Sequence, residues 1–522
     1  MKEFFFPSGE HENVHIIVEE SGTIIRGEPG AVLRGGVKAY GWQHEGGDIF
    51  SMALPAGVPA DLRVLEIDGV LRLRTRYPAI GFMPHFSDYE VPWVSTSGGG
   101  FTEMPTSDAR QKMKIEPLDV NWADVEATVL HRWDESLVPV QRAENDTVYF
   151  TTPCGNPPGA FGVREYALWN THNLEPGRWR LDIQDRKIFY HAMPGEQPVE
   201  TWLPVRESII EIRGDVRDLE ITGLTFKTTL CPLASIDFIR DNMPNTYGTM
   251  SLPGAIDSRS KLENSNFSGL AFENIGAWGI RLTGENSGVI IRDCTVDNSL
   301  GGGFFVKERS LVTGCKVKNI GLQHYSAVGI YAIGCDINGC IVENTPYSGI
   351  VGGGDGVTIE SNTVRNAMQV LNDGAGVYAT FGKNGIMRGN YVSGIPHHGY
   401  PSCQRYGLYI DEQAPGWLME DNTTENCVSA LLCHMHYDET LIRNNTFISD
   451  KDLAVLLVRC RGIRLIGNTF RPGGHVLFAG SKNAVAEFSG NDLGNFQQIF
   501  ISEEYKWGEP EAASGSVPLS IL

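Results

Sequence analysis

One short pattern recurs from residue 294 to residue 491, and it leaves this chain few architectures to adopt. It reads Cys294-Thr-Val, Cys315-Lys-Val, Cys340-Ile-Val, Asn362-Thr-Val, Asn390-Tyr-Val, Asn422-Thr-Thr, Asn445-Thr-Phe, Asn468-Thr-Phe and Asn491-Asp-Leu. The steps between anchors are 21, 25, 22, 28, 32, 23, 23 and 23 residues. Self-similarity at this length without helical periodicity predicts a solenoid of short strands. A second row stands four residues after the anchors: Asn298, Asn319, Asn344, Asn366, Gly394 and Asn426. These residue types tolerate left-handed backbone at a turn. Stacked one coil apart, their amides can bond in a ladder, which makes them structural rather than ligand-binding. A third row begins Gly303-Phe-Phe-Val, Gly329-Ile-Tyr-Ala, Gly349-Ile-Val-Gly, Gly376-Val-Tyr-Ala, Gly407-Leu-Tyr-Ile and Ala430-Leu-Leu-Cys. Each coil therefore holds at least two strands, with successive coils about 4.8 Å apart.

The opening residues fit the same scheme, with short β-rich runs at 14–18, 23–26 and 31–34. From about 40 to 204 the repeat vanishes and alternating segments bounded by turn signals replace it, such as Leu62-Arg-Val-Leu-Glu-Ile-Asp68 before Gly69. An inserted antiparallel β-sandwich is expected there. The solenoid resumes near 205, and the pattern-poor stretch 227–260 is expected to loop outward. The expected divisions are 1–40 for the N-terminal strands and cap, 41–204 for the insert, 205–500 for the solenoid and 501–522 for a C-terminal cap.

Composition narrows the partners. The formal charge is −20 and the pI near 5.1, which disfavours a nucleic-acid backbone. No stretch approaches the roughly 18 apolar residues of a membrane span. The run Phe4-Phe-Phe6 is too short for a signal core, so a cytoplasmic location is expected. No CxxC pair occurs among the ten cysteines, and Cys294, Cys315 and Cys340 read as a stacked, buried, reduced row.

In a solenoid, insertions mark function. The two longest steps flank Asn390 and carry Asn372-Asp373-Gly-Ala-Gly-Val-Tyr378, then His397-His398, Arg405-Tyr406 and Gly407-Leu-Tyr-Ile-Asp411-Glu412. His434 and His436 follow one coil later. Asp411 shares its row position with Lys307, Thr380 and His434 of other coils. The candidate catalytic residues are Asp373, Asp411 and Glu412. The candidate substrate-binding residues are His324, Tyr325, Tyr347, His397, His398, Arg405, Tyr406, Trp417, His434 and His436. The two histidine pairs, His397-His398 and His434 with His436, are adjacent or two apart, so sugar-binding or orienting roles are expected of them rather than metal ligation, and no cofactor is expected.

Residues from about 30 to 470 resemble bacterial right-handed β-helix glycoside hydrolases, above all family 141, with fucosidase and xylanase activities. The β-xylosidases of family 120 are similar at a greater distance. The likeness rests on Leu62–Gly69 followed by Arg74-Thr-Arg-Tyr-Pro78, on Glu175-Pro-Gly-Arg-Trp-Arg-Leu-Asp182 followed by Lys187-Ile-Phe-Tyr190, and on the two carboxylate motifs at 373 and 411. It implies an all-β, right-handed parallel β-helix with an inserted β-sandwich beside the cleft. It also implies a carbohydrate substrate cleaved by Asp373 and Asp411, with self-association left open.

That chemistry needs one acid to protonate the leaving oxygen and one carboxylate to attack or to activate water. Asp373 is the candidate general acid and Asp411 the candidate nucleophile or base. The register poses a difficulty. If Gly376 aligns with Gly407, a straight strand would hold the two acids about 23 Å apart at roughly 3.3 Å per residue, beyond the 5–10 Å or so the mechanism needs. A bend at the glycines or a slip in register would reconcile them; otherwise Glu412 or Asp355 partners Asp411. Two rival functions stay open. One is a uronate lyase or epimerase with Lys307 or Arg405 as its base, and the other is a non-catalytic carbohydrate-binding solenoid.

Overall fold

The anchor of the repeat is a corner. The residue before it takes a left-handed backbone (Asp293 φ 54°, Ser361 57°, Asp421 56°, Asn444 55°), and the anchor side chain turns inward, where it is buried. The corner joins a strand of one face to a strand of the next, as between Leu418–Glu420 and Thr423–Glu425. A third strand, here Ser429–His434, completes the coil. The computed structural model describes residues 2–90, 93–94, 100–101, 105–233, 239–240, 243–244, 248–396, 404–412, 414–427, 429–436, 440–474, 476–480, 484–494, 499–502 and 516–517. Among these residues the three faces are sheets of 13, 12 and 14 strands, with neighbouring coils paired in parallel. Ser516–Val517 alone in the third sheet runs antiparallel, laid on Ile499–Ser502 at its edge.

The anchors hold the corner by hydrogen bonds. From Asn362 to Asn491 each side-chain amide donates to the Oδ1 of the next anchor, at 2.9–3.0 Å. That oxygen also accepts the backbone N–H of the anchor before it. The second amide hydrogen goes to a carbonyl of the first face, as from Asn422 to Met387 at 2.8 Å. Burying an amide is tolerable only when its bonds are made, and repetition supplies them. Cys340 ends the ladder by donating its N–H to Asn362 Oδ1. The earlier anchors are thiols, which need no partner. The nine cysteines among the described residues are all buried. Four residues on, Asn298, Asn319, Asn344, Asn366, Gly394 and Asn426 are all left-handed, and Asn344 and Asn366 each donate to the asparagine one coil earlier.

Glycine fills the middle of the third face for want of space. A Cβ on Gly329 would lie 2.4 Å from Val342, on Gly349 2.5 Å from Val364 and on Gly376 2.3 Å from Val392. The second face presses that closely. Pairing breaks there too: Ala375 pairs Tyr406 and Val377 pairs Leu408, but Gly376 and Gly407 do not pair.

The insert leaves the helix earlier than the sequence indicated. Gly36–Ala39 already pairs antiparallel with Thr201–Pro204. Two four-stranded antiparallel sheets share a core that includes Met52, Leu65, Ile67, Trp179, Tyr190 and Leu203, which is the expected sandwich. A third sheet of seven strands has a core of its own around Val129, Val138 and Leu168, and gives Leu130, Leu137 and Trp169 to the helix core. A buried polar knot pins the insert down. Arg34 of the helix meets Glu66 of the insert at 2.9 Å, and Asn274 of a later coil donates to the same carboxylate at 2.7 Å.

Candidate active site

Asp411 ends the strand Arg405–Ile410, at the row position of His434 in the next coil. Three donors close on its carboxylate: Tyr378 Oη at 2.6 Å, His434 Nδ1 at 2.8 Å and the Glu412 N–H at 2.8 Å. Burial pushes the carboxyl up, but the His434 bond and charge, then Tyr378 and the Glu412 N–H, outweigh it and hold Asp411 below the ordinary carboxylate range. An ionised carboxylate only accepts, so Nδ1 of His434 carries a proton in this pair. The Tyr378 ring is stacked on Tyr409 with centroids 4.7 Å apart. His436 braces the main chain, its Nε2 bonded to the Asp411 carbonyl at 3.1 Å, and burial pushes its imidazole down to about 4.

Asp373 stands at the other end of the adjacent strand in a left-handed conformation, φ 58°. Its N–H donates to the Gln404 carbonyl at 2.6 Å, and its own carbonyl accepts from Tyr347 Oη at 2.6 Å. Its Oδ2 lies 3.5 Å from Nε of Arg132, which also donates to Gln404 Oε1. Burial raises this carboxyl above the ordinary range; Arg132 pulls it down, the charge of Asp411 pushes it up again, and His434 offsets part of that. The two acids, 19% and 15% exposed in their side chains, are therefore displaced in opposite directions.

The strand register is the one the repeat predicts, with Gly374 opposite Arg405 and Tyr378 opposite Tyr409. Each acid nevertheless acts on the titration of the buried Tyr409, and Asp411 acts on Asp373. A straight strand of about 23 Å would screen such an effect. The register has not slipped, since it carries the same offset on both sides of the gap in pairing at Gly376 and Gly407.

Several expected sugar contacts turn out to be framework. Trp417 is 1% exposed and donates to the Gly382 carbonyl at 2.9 Å, under a turn. Tyr406 is fully buried against Tyr409, and Tyr347 is buried behind Asp373. His324 and Tyr325 lie in the joint between helix and insert, 3.7 Å from Glu135 and against Phe82 respectively. Arg405 braces the loop before Asp373 through Asn372 Oδ1 (2.9 Å) and the Val370 carbonyl. In each case a residue type suited to sugar binding is engaged in packing or in bracing the chain. His434, His436 and Glu412 gather around Asp411 as described. His397 and His398 lie outside the described residues. Asp355 is exposed and caps the Lys383 N–H in the turn beyond the row, and Lys307 lies four strand spacings from Asp411, about 19 Å. Among the described residues no three His, Cys, Asp or Glu could hold a metal ion.

The sequence reading passed over Tyr378, Gln404 and Arg132. Strand alternation carried a signal for Tyr378, two residues before Thr380 in the Asp411 row. Arg132 had none, being 272 residues from Gln404.

Residues 326–493 match the family described as "Right handed beta helix region". The solenoid is a right-handed parallel β-helix. No curated protein sequence matches the chain. Among solved structures, one titled "Glycoside hydrolase" is similar with a TM-score of 0.62 and 17% identity, over 85% of this chain and 88% of that one. At that identity the likeness is one of fold. XylC, solved in complex with xylose, scores 0.40 at 9% identity over 97% of this chain and 81% of that one. An alginate lyase from Paenibacillus sp. str. FPU-7 scores 0.26 at 12% identity over 46% and 92%.

Proposed function

We propose that this protein is a glycoside hydrolase acting on xyloside- or fucoside-type bonds with Asp373 and Asp411 as its acid pair. The observation that carries the reading is the opposite displacement of two neighbouring carboxyls. Burial and a like charge push one above the ordinary carboxylate range, and three donors hold the other below it. Asp373 gives its proton to the glycosidic oxygen as the bond from C1 to that oxygen breaks. Asp411 meets the developing positive charge at C1, as nucleophile or as base toward the attacking water. Tyr378 and His434 keep Asp411 ionised and aimed. The resemblance of the carboxylate motifs to family 141, and the solved glycoside hydrolase of similar fold, agree with this chemistry.

The lyase reading has less support. Arg405 is committed to Asn372 and Val370, and Lys307 stands about 19 Å from Asp411.

A panel of aryl and alkyl xylosides and fucosides tests the proposal. Asp411→Asn should lose at least about 10³-fold in kcat on every substrate cleaved. Asp373→Asn should lose about 10²–10⁴-fold on alkyl glycosides but far less on nitrophenyl glycosides, whose leaving group needs no proton. Equal activity of wild type and Asp411→Asn would defeat the assignment.

A further inference from the structure

Arg132 enters the site from outside the helix. It lies in the turn 131–134 between the insert strands Glu126–Leu130 and Glu135–Glu144. The turn is closed by the His131 N–H donating to the Asp134 carbonyl at 2.9 Å, and Trp133 packs on Phe161 with ring centroids 4.6 Å apart. Below the turn, Glu135 accepts the Ser326 N–H of the helix at 2.6 Å and faces His324. A turn held at its tip and its base presents its side chain in one place. Three contacts then converge on the loop that carries the acid. The Asn372 N–H donates to the Arg132 carbonyl at 2.9 Å, the guanidinium donates to Gln404 Oε1, and Nε lies 3.5 Å from Asp373 Oδ2.

We infer, on the hydrolase reading above, that Arg132 is a positioning residue for Asp373: it sets the direction of the carboxyl against Gln404 and faces it with positive charge once the proton has gone. Among the described residues, the other groups bearing on Asp373 come from the helix. Asp411 opposes its ionisation, His434 favours it, Tyr347 bonds only its backbone carbonyl, and Tyr409 feels both acids. Arg132 is the contribution of the insert. When Asp373 hands over its proton, it and Asp411 are both charged, and the guanidinium limits their repulsion. The insert thereby completes the catalytic centre as well as flanking it.

Three variants test this. Removing the charge in Arg132→Gln should raise the carboxyl pKa of Asp373, so the alkaline limb of the kcat profile should move up by about one pH unit. In the same variant kcat at the optimum should fall roughly tenfold while KM stays within about threefold, the pattern of an interaction made in the transition state. Arg132→Lys should bring the limb most of the way back. Glu135→Gln loosens the same hairpin at its base without touching Asp373, so it should lower Tm and leave the limb where it is. An unmoved limb in Arg132→Gln, or an equal shift in Glu135→Gln, would overturn the inference. A second readout needs no turnover: ¹³C NMR of aspartate-labelled protein, with Asp373→Asn for assignment, should show the Asp373 midpoint rising in Arg132→Gln. No rise sinks the role of Arg132 whatever the enzyme does. A rise in a protein that cleaves no glycoside sinks the hydrolase reading instead.

Discussion

The asparagine corner and the Asp411 row lie in the same coils, yet polar groups are treated in opposite ways. At the corner every buried amide meets an identical amide one coil away, so each is satisfied by translation. In the Asp411 row no residue is repeated: Lys307, Ile333, Gly353, Thr380, Asp411, His434 and Val458 follow one another. Each polar group there has neighbours of its own, and their ionisation can be driven apart. Identical stacking yields stability, and broken stacking yields distinct pKa values, which proton-transfer chemistry requires.

Four substitutions sharpen or break this contrast. The largest effect is expected for Asp411→Asn, with at least about 10³-fold lost in kcat and Tm within a few degrees of wild type by calorimetry. A comparable loss of stability would mean that this row is framework like the corner. Asn422→Ala should do the reverse. It strips donors and acceptors from Asn390, Asn445 and Met387 in a buried position, and should cost about 3 kcal/mol in denaturant unfolding with kcat little changed. Gly376→Ala joins the two regions, because its Cβ must displace Val392 at the point where pairing breaks. We expect roughly 1–3 kcal/mol of destabilisation together with a lower kcat, the result if the gap in pairing helps to place the acids; an unchanged kcat would show that it does not. The smallest effect belongs to Trp417→Phe, which loses one bond to the Gly382 carbonyl and should cost about 1 kcal/mol without moving KM. A tenfold rise in KM would restore Trp417 as a sugar platform.

Dependence on pH follows from the two acids with its sign fixed. Activity should rise as Asp411 ionises, below the ordinary carboxylate range, and fall as Asp373 loses its proton, above that range. The profile of kcat/KM should therefore be a bell with its limbs on either side of about 4. Asp373→Asn should abolish the alkaline limb.

What the sequence determined by itself is whatever depends on translation along the helix. The anchors, the left-handed asparagines, the thiol row, the glycine row and the register that sets Gly376 level with Gly407 follow from residue spacing, since each coil meets its own copy. Asp373 and Asp411 stood out as carboxylates in the two long steps. Tertiary structure alone decided what surrounds them. Trp417, Tyr347 and Tyr406 look like sugar-binding residues in one dimension and are buried by neighbouring coils in three. Arg132 reaches Asp373 because an insert folded from distant residues docks through Arg34, Glu66 and Asn274. Repeats encode contacts between like residues one period apart; contacts between unlike residues from separate domains have no period, and a single sequence holds no trace of them.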